Sequence, residues 1–206
     1  MPRFLFIGGK NPGSQTYTSG SGTFTVPYYA ENLRVRIWGP GGGGAGKNTT
    51  ANQNGSAGGT TTFDVMTAGG GGGSGSPSGG VASGGDINTN GNASSLFGGE
   101  GAAAPETSLG GGAAQPPPTG NSTQNGIAGN SYGGGGSSSV YWDGSNIWAG
   151  QGGGSGAFCE KIYTPSTLSP GASVSYAVGS GGAGGDGSSS DGGAGANGAV
   201  VIEWDY

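Results

Sequence analysis

Apolar and polar residues alternate in several short runs separated by long stretches with no period at all. Leu33-Arg-Val-Arg-Ile-Trp38 alternates strictly, with Leu33, Val35 and Ile37 on one side and Arg34, Arg36 and Trp38 on the other. Thr23-Phe-Thr-Val-Pro27 alternates and stops at a proline. Thr60-Thr-Thr-Phe-Asp-Val-Met66 reads as one strand, with Phe63 and Val65 opposed to Asp64 and Met66. Near the other end, Ala157–Tyr163, Ala172–Val178 and Gly198–Trp204 have the same character. Val174, Tyr176 and Val178 share a face, and Ser169-Pro-Gly171 supplies a turn before that strand. A period of two with β-branched and aromatic residues is the mark of half-buried strands. About six strands suffice for a small antiparallel sandwich. No stretch carries a helical period, and glycine disfavours helix by about 1 kcal/mol per residue.

Between the strand-bearing flanks, 22–67 and 157–206, lies a zone of different character at 68–156. Its apolar residues are isolated among Gly, Ser, Ala and Asn, and Pro116-Pro-Pro118 marks a stiff extended piece. The expected architecture is all-β: an antiparallel sandwich from the flanks, a long glycine-rich insert, and essentially no α-helix. Residues 1–21 stand apart as a segment for attachment or oligomerisation, with Phe4, Leu5, Phe6 and Ile7 as its apolar plug. That run is too short for a signal-peptide core of about 7–15 residues. No stretch approaches the roughly 18 apolar residues of a membrane helix, so membrane insertion is not expected.

Composition sharpens this picture. Glycine accounts for 55 of 206 residues, far above the usual share of about 7%, and only 8% of residues are charged. Such a chain lacks the material for an ordinary enzyme core. It also differs from a typical disordered region, because 9% of its residues are aromatic, including four Trp. Glycine blocks recur at Gly41–Gly44, Gly69–Gly73, Gly110–Gly112, Gly133–Gly136, Gly152–Gly154, Gly181–Gly182 and Gly184–Gly185. A flexible coil is one reading of such blocks. The preferred reading is close-packed polyproline-II-like helices, in which the inward position has no room for a Cβ and neighbouring backbones satisfy each other's amides. A plain linker would not need Phe97, Tyr132, Trp142 or Trp148.

Charge and residue type exclude most chemistry. The net charge of -5 opposes a phosphate backbone, and no Lys or Arg occurs between Lys47 and Lys161, so nucleic acid is not an expected partner. The absence of histidine removes imidazole bases and ligands. The single cysteine, Cys159, can form no intrachain disulfide and reads as a packed thiol. Gly41–Lys47 imitates a phosphate loop, but Asn48 stands where magnesium binding needs Ser or Thr, and no helix follows. Gly181–Asp186 resembles the start of a calcium nonapeptide without a tandem copy, so Asp186 and Asp191 read as polar turn residues. Asn-X-Ser/Thr matches at Asn48, Asn54, Asn92 and Asn121 carry no weight in so Asn- and Ser-rich a chain. Asp86, Glu100, Glu106 and Asp143 form no recognisable catalytic pair. No enzyme activity, cofactor or metal is expected.

The group Tyr141-Trp142-Asp143 with Asn146 and Trp148 is the most informative local feature. Aromatics beside amides and carboxylates can stack on sugar rings or anchor a protein interface. They can equally cap the end of a glycine-rich stack. Tyr132 and Tyr28-Tyr29 share that ambiguity.

The chain resembles the glycine-rich domain of phage tail-fibre and virion structural proteins. The likeness runs through Leu33-Arg-Val-Arg-Ile-Trp38-Gly39-Pro-Gly-Gly-Gly-Gly44, then Gly156-Ala-Phe-Cys-Glu160-Lys161, Pro170-Gly171, Val174–Gly185, and the closing strand to Trp204, covering about 22–206. A looser similarity links the block structure to phage adhesins built on stacked polyglycine-II helices. The resemblance implies a non-enzymatic virion component made in the host cytoplasm, in a tail fibre or its tip. Its partners would be other virion proteins and further copies of itself, a trimer being favoured. Loops on the glycine-rich scaffold would meet a host surface glycan or outer-membrane protein. The alternatives are a capsid decoration or collar protein without host contact, or an ice-binding or matrix glycine-rich protein.

Overall fold

The structure, a computed structural model, describes residues 12–47, 52–94, 104–105, 122–142 and 145–205. All of its regular elements there are β-strands: β1 (Gly13–Tyr17), β2 (Ser21–Thr25), β3 (Asn32–Trp38), β4 (Gly46–Lys47), β5 (Asn52–Gln53), β6 (Thr60–Phe63), β7 (Met66–Gly69) and β8 (Ala82–Ser83). The second half adds β9 (Ile87–Thr89), β10 (Ser122–Gln124), β11 (Val140–Trp142), β12 (Ile147–Ala149), β13 (Phe158–Tyr163), β14 (Ser173–Ala177) and β15 (Ala199–Asp205). The fold is all-β and its paired strands run antiparallel.

Two five-stranded sheets form a sandwich, one in the order β1-β15-β3-β13-β9 and the other β2-β14-β6-β7-β8. The alternation in β3 works as expected: Leu33, Val35 and Ile37 are buried in the core while Arg34 is exposed. They meet Cys159 and Tyr163 from β13 and Val200 and Ile202 from β15, packed against Phe24, Phe63, Met66 and Val174 of the facing sheet. Phe63 packs edge-on against Tyr163, with ring centroids 6.1 Å apart. Cys159 is buried, its Sγ 3.1 Å from the Thr67 carbonyl oxygen, and burial pushes its thiol pKa up.

One expected strand is instead a hairpin. Thr60–Met66 folds back at Asp64-Val65, pairing Phe63 with Met66 and Thr60 with Gly69. Asp64 takes a left-handed backbone with φ 49°, a conformation Asp tolerates better than most residues. Phe63 and Met66 therefore both enter the core, while Val65 is exposed at the turn. Residues 13–17 are another addition: they form the edge strand β1, with Gly13 opposite Trp204 and Tyr17 opposite Val200. Tyr17 stacks on Tyr176 at 3.9 Å, tying the edge strand β1 to β14 of the facing sheet.

Beyond the sandwich the strands run on into a bundle of extended glycine-rich segments. Its axis is Gly39–Lys47, the continuation of β3, and every residue in it is buried. Its amides donate to three neighbours in rotation: Gly41 to Ala196, Gly42 to Gly154, Gly43 to Ser56, Gly44 to Gly193 and Ala45 to Gln151. Each step of three along the axis is a step of minus three along the neighbour, so those neighbours run antiparallel. Its carbonyls accept from three others: Pro40 from Gly71, Gly41 from Gly182, Gly42 from Gly136, Gly43 from Ser74, Gly44 from Gly185 and Ala45 from Ser139. These rise by three together, so they run parallel to the axis. A period of three with no internal hydrogen bond is the geometry of the polyproline-II helix.

The six neighbours close a ring. In order they are 53–59, 179–185, 192–198, 133–139, 151–156 and 69–74. They are joined by bonds such as Ser56→Ala183, Gly195→Gly182, Ala196→Gly134, Gly153→Gly136, Gly154→Gly72 and Gly58→Gly71, each written from amide to carbonyl. Their directions alternate around the ring. The polyglycine-II reading of the glycine blocks is therefore realised as a hexagonal stack, and it draws on segments on both sides of 68–156. Close approach is what demands glycine: a Cβ added to Gly43 would fall on the Ala183 carbonyl, and one at Gly42 on that of Gly72.

Candidate functional site

The stack gives the molecule two poles. At one end lies the sandwich, whose far edge carries the start of β1 and β3, the ends of β13 and β15, and the Pro27–Ala30 turn. At the other end the axis finishes as β4, paired with β5. There segment 133–139 runs into β11, 151–156 begins just after β12, and 185–192 turns back, with Lys47 and Ser190 bridging. The seven residues Gly39–Ala45 alone span about 20 Å at roughly 3.1 Å per residue.

The aromatic group sits at this distal pole, on a three-stranded sheet in the order β10-β11-β12. Its register places Thr123, Tyr141 and Trp148 in one row, and Trp142 beside Ile147 in the next. Successive residues of a strand point to opposite faces. Tyr141 and Trp148 therefore share one face, while Trp142, Ile147 and the buried Val140 belong to the other. Trp148 and Ile147 are each about half exposed, at 50% and 53%. Asn146 lies exposed in the connecting turn, and Asp143 lies outside the described residues.

Lys47 is brought to this face from the far side of the sequence. It is 92% buried, and its ammonium stands 5.7 Å from the centroid of the Trp148 ring, a cation–π contact. Its Nζ also donates to Asn52 Oδ1 at 3.2 Å. Gly150, two residues beyond Trp148, has no side chain, and a Cβ there would press on the Ala45 methyl group. The glycine lets β12 leave the sheet directly against the end of the axis. No pattern in the sequence assigns Lys47 and Asn52 to this site. The available signal was the isolation of Lys47 as the last cation before Lys161.

Tyr132 does not join the group. It lies at the sandwich end of the stack, 5.5 Å from the ring of Trp38, which in turn packs on Phe158 at 5.1 Å. The Trp38 indole N–H donates to the Pro105 carbonyl at 3.1 Å. Tyr28 and Tyr29 are exposed at the opposite pole from Trp148. A broad groove lies near that pole, lined in part by Pro12, Ser14, Arg34, Ile162 and Glu203. Phe4, Leu5, Phe6 and Ile7 lie outside the described residues.

The remaining motif residues hold the scaffold. The Gly39 amide donates to the Ala157 carbonyl at 2.8 Å where the axis leaves β3. Glu160 pairs with Arg34 at 2.7 Å, and Lys161 with Asp86 at 3.2 Å. The Ile162 backbone N–H and then Lys161 hold the Asp86 carboxyl below its usual range. Trp204 packs on Phe24 at 5.9 Å and spreads over Gly13. Among the described residues no three metal-ligating side chains gather, and no helix is long and apolar enough to cross a membrane.

No curated protein matches this sequence closely enough to count as a relative. A family model described as a glycine-rich domain matches residues 8–205, so nearly the whole of the stack and sandwich lies within one match, and the chain belongs to the glycine-rich domain family.

Proposed function

We propose that the protein is a non-enzymatic structural component of a phage virion, carried in a tail fibre or its tip, and that it presents the β10-β11-β12 sheet to the host surface. The observation that carries this reading is the polarity of the fold. A stiff backbone-bonded stack separates the half-exposed aromatic face from the sandwich pole, where Pro12 leads into β1. A segment upstream of Pro12 that docks to a neighbouring virion protein would then leave the aromatic pole pointing away from the particle. Exposed aromatics on a rigid frame contribute to binding with little ordering cost. Several copies on one fibre, a trimer in the simplest case, would add avidity without new contacts.

The test is binding of the purified protein to a panel of intact bacterial cells, comparing wild type with the double variant Trp142→Ala/Trp148→Ala. Binding to at least one cell type, weakened about tenfold or more in a double variant of unchanged circular dichroism, is the expected result. A folded wild type that binds no cells, and that cryo-microscopy places on a capsid or collar, would replace attachment with a decorative role.

A further inference from the structure

Resting on the proposal that the distal pole meets the host, we infer that the Tyr141–Trp148 face, with Lys47 beneath Trp148 and Asn52 beside it, is a binding site for a neutral hexopyranose unit of a surface glycan. Three features of the site lead there. First, Trp148 is half open to solvent and backed by the buried Lys47 ammonium, 5.7 Å from its ring centroid. A pyranose has an apolar face of C–H groups that packs on an indole backed in this way, whereas a mobile indole would first have to lose rotamer freedom. Second, exposed polar groups at this pole include the amides of Asn52 and Gln53 on β5 and of Asn146 in the β11–β12 turn, together with Thr123 in the row of Tyr141. An amide offers a donor and an acceptor together, matching a sugar hydroxyl, which also does both. Third, charge selects against acidic sugars. Lys47 is buried and already engaged by Asn52 and the indole, while the exposed charges of the adjoining 185–192 turn are Asp186 and Asp191. Among the described residues, an anionic ligand would meet two carboxylates and no exposed cation there.

In this arrangement Trp148 provides the stacking surface and Asn52 reads a hydroxyl. Lys47 is a positioning residue that acts through the indole. The site joins residues about one hundred positions apart in the chain, and it exists because the axis and segment 151–156 end at the same pole.

The experiment is saturation-transfer NMR of the intact protein with methyl glycosides of neutral hexoses and with glucuronic and sialic acid. Trp148→Ala, Trp148→Tyr, Lys47→Met and Tyr28→Ala are compared in parallel with binding to the cells that wild type recognises. The expected result is transfer to one or more neutral hexosides. Affinity should fall about tenfold or more in Trp148→Ala, stay within about threefold in Trp148→Tyr, and be unchanged in Tyr28→Ala at the opposite pole. Lys47→Met should weaken binding about threefold and broaden the indole resonance of Trp148, a readout of lost ring positioning. Transfer only to the acidic sugars would overturn the neutral class. Cell binding that depends on Trp148 without transfer to any sugar would overturn the glycan site and leave attachment standing, with a protein receptor. A folded protein that binds neither sugars nor cells would remove both proposals.

Discussion

The sandwich and the stack are both built from extended chain, but opposite things hold them together. In the sandwich, stability comes from side chains that fill the space between two sheets, among them Ile37, Phe63, Tyr163 and Ile202, all essentially inaccessible to solvent. In the stack, the space between neighbours is too small for side chains, and backbone amides of one segment bind backbone carbonyls of the next at 2.8–3.0 Å. Apolar burial drives the first. The second satisfies buried peptide groups that would otherwise each cost on the order of 1–3 kcal/mol. One region is therefore damaged by removing atoms and the other by adding them.

The sharpest way to break this contrast is a single methyl group on the axis. Gly43→Ala is expected to destabilise by about 4 kcal/mol or more, or to prevent folding, because its Cβ meets the rigid backbone of Ala183 rather than a side chain that can move. Phe63→Ala in the sandwich should cost about 3–5 kcal/mol by the reverse route, an unfilled core site. Urea denaturation of both variants measures the two losses on one scale. If Gly43→Ala is neutral, the close-packed hexagon is wrong.

A smaller effect separates the regions by pH. Burial, and next the Asp64 carboxylate, push the Tyr163 hydroxyl well above its usual pKa of 10.0. The unfolded chain therefore loses this proton first. The stabilisation is complete below about pH 10 and declines as pH rises further, by at most about 1.4 kcal/mol per pH unit for this one group. Tyr163→Phe should flatten that alkaline slope in thermal melts between pH 9 and 11. An unchanged slope would remove Tyr163 from the account.

The smallest effect is the control within the stack. At Gly59 an added Cβ would find its nearest neighbour, the Ser180 nitrogen, at 3.5 Å, an ordinary contact. Gly59→Ala should shift stability by no more than about 0.5 kcal/mol. A loss as large as that of Gly43→Ala would mean that backbone entropy, and not close approach, sets the demand for glycine.

Much of the sandwich was legible in the sequence, because a period of two forces apolar residues onto one face whatever the neighbours are. Leu33–Trp38 and Gly198–Trp204 both show it. The misreading of Thr60–Met66 has a simple cause: a tight turn at Asp64-Val65 leaves the apparent alternation intact while reversing the chain. The short strands β8 and β9 carry too few residues for any period to register. In the stack a period of three is present but brief. Ser180, Ala183 and Asp186 are exposed while Gly179, Gly182 and Gly185 are buried, and Asp191, Ala194 and Asn197 repeat the exposed positions. Runs of two or three repeats are lost among so many glycines. At the candidate site Tyr141, Trp142 and Trp148 were identified and strand alternation separates Tyr141 from Trp142, but the register that sets Trp148 beside Tyr141 came from the structure. Lys47 and Asn52 could not be placed there by any local pattern.

By itself, the sequence determined the all-β character, the principal sandwich strands, the requirement for close backbone packing, and the exclusion of imidazole chemistry. These follow from side-chain period, glycine content and the absence of a residue type, which are local properties. Only the tertiary structure decided which glycine segment neighbours which, that six of them surround a seventh, and that Lys47 lies against Trp148. A glycine backbone offers the same amide and carbonyl at every residue, so it carries no code for its partner. For the axis and five of its six neighbours the partner is set where the segment joins a strand of the sandwich, whereas 133–139 lies between β10 and β11 of the distal sheet.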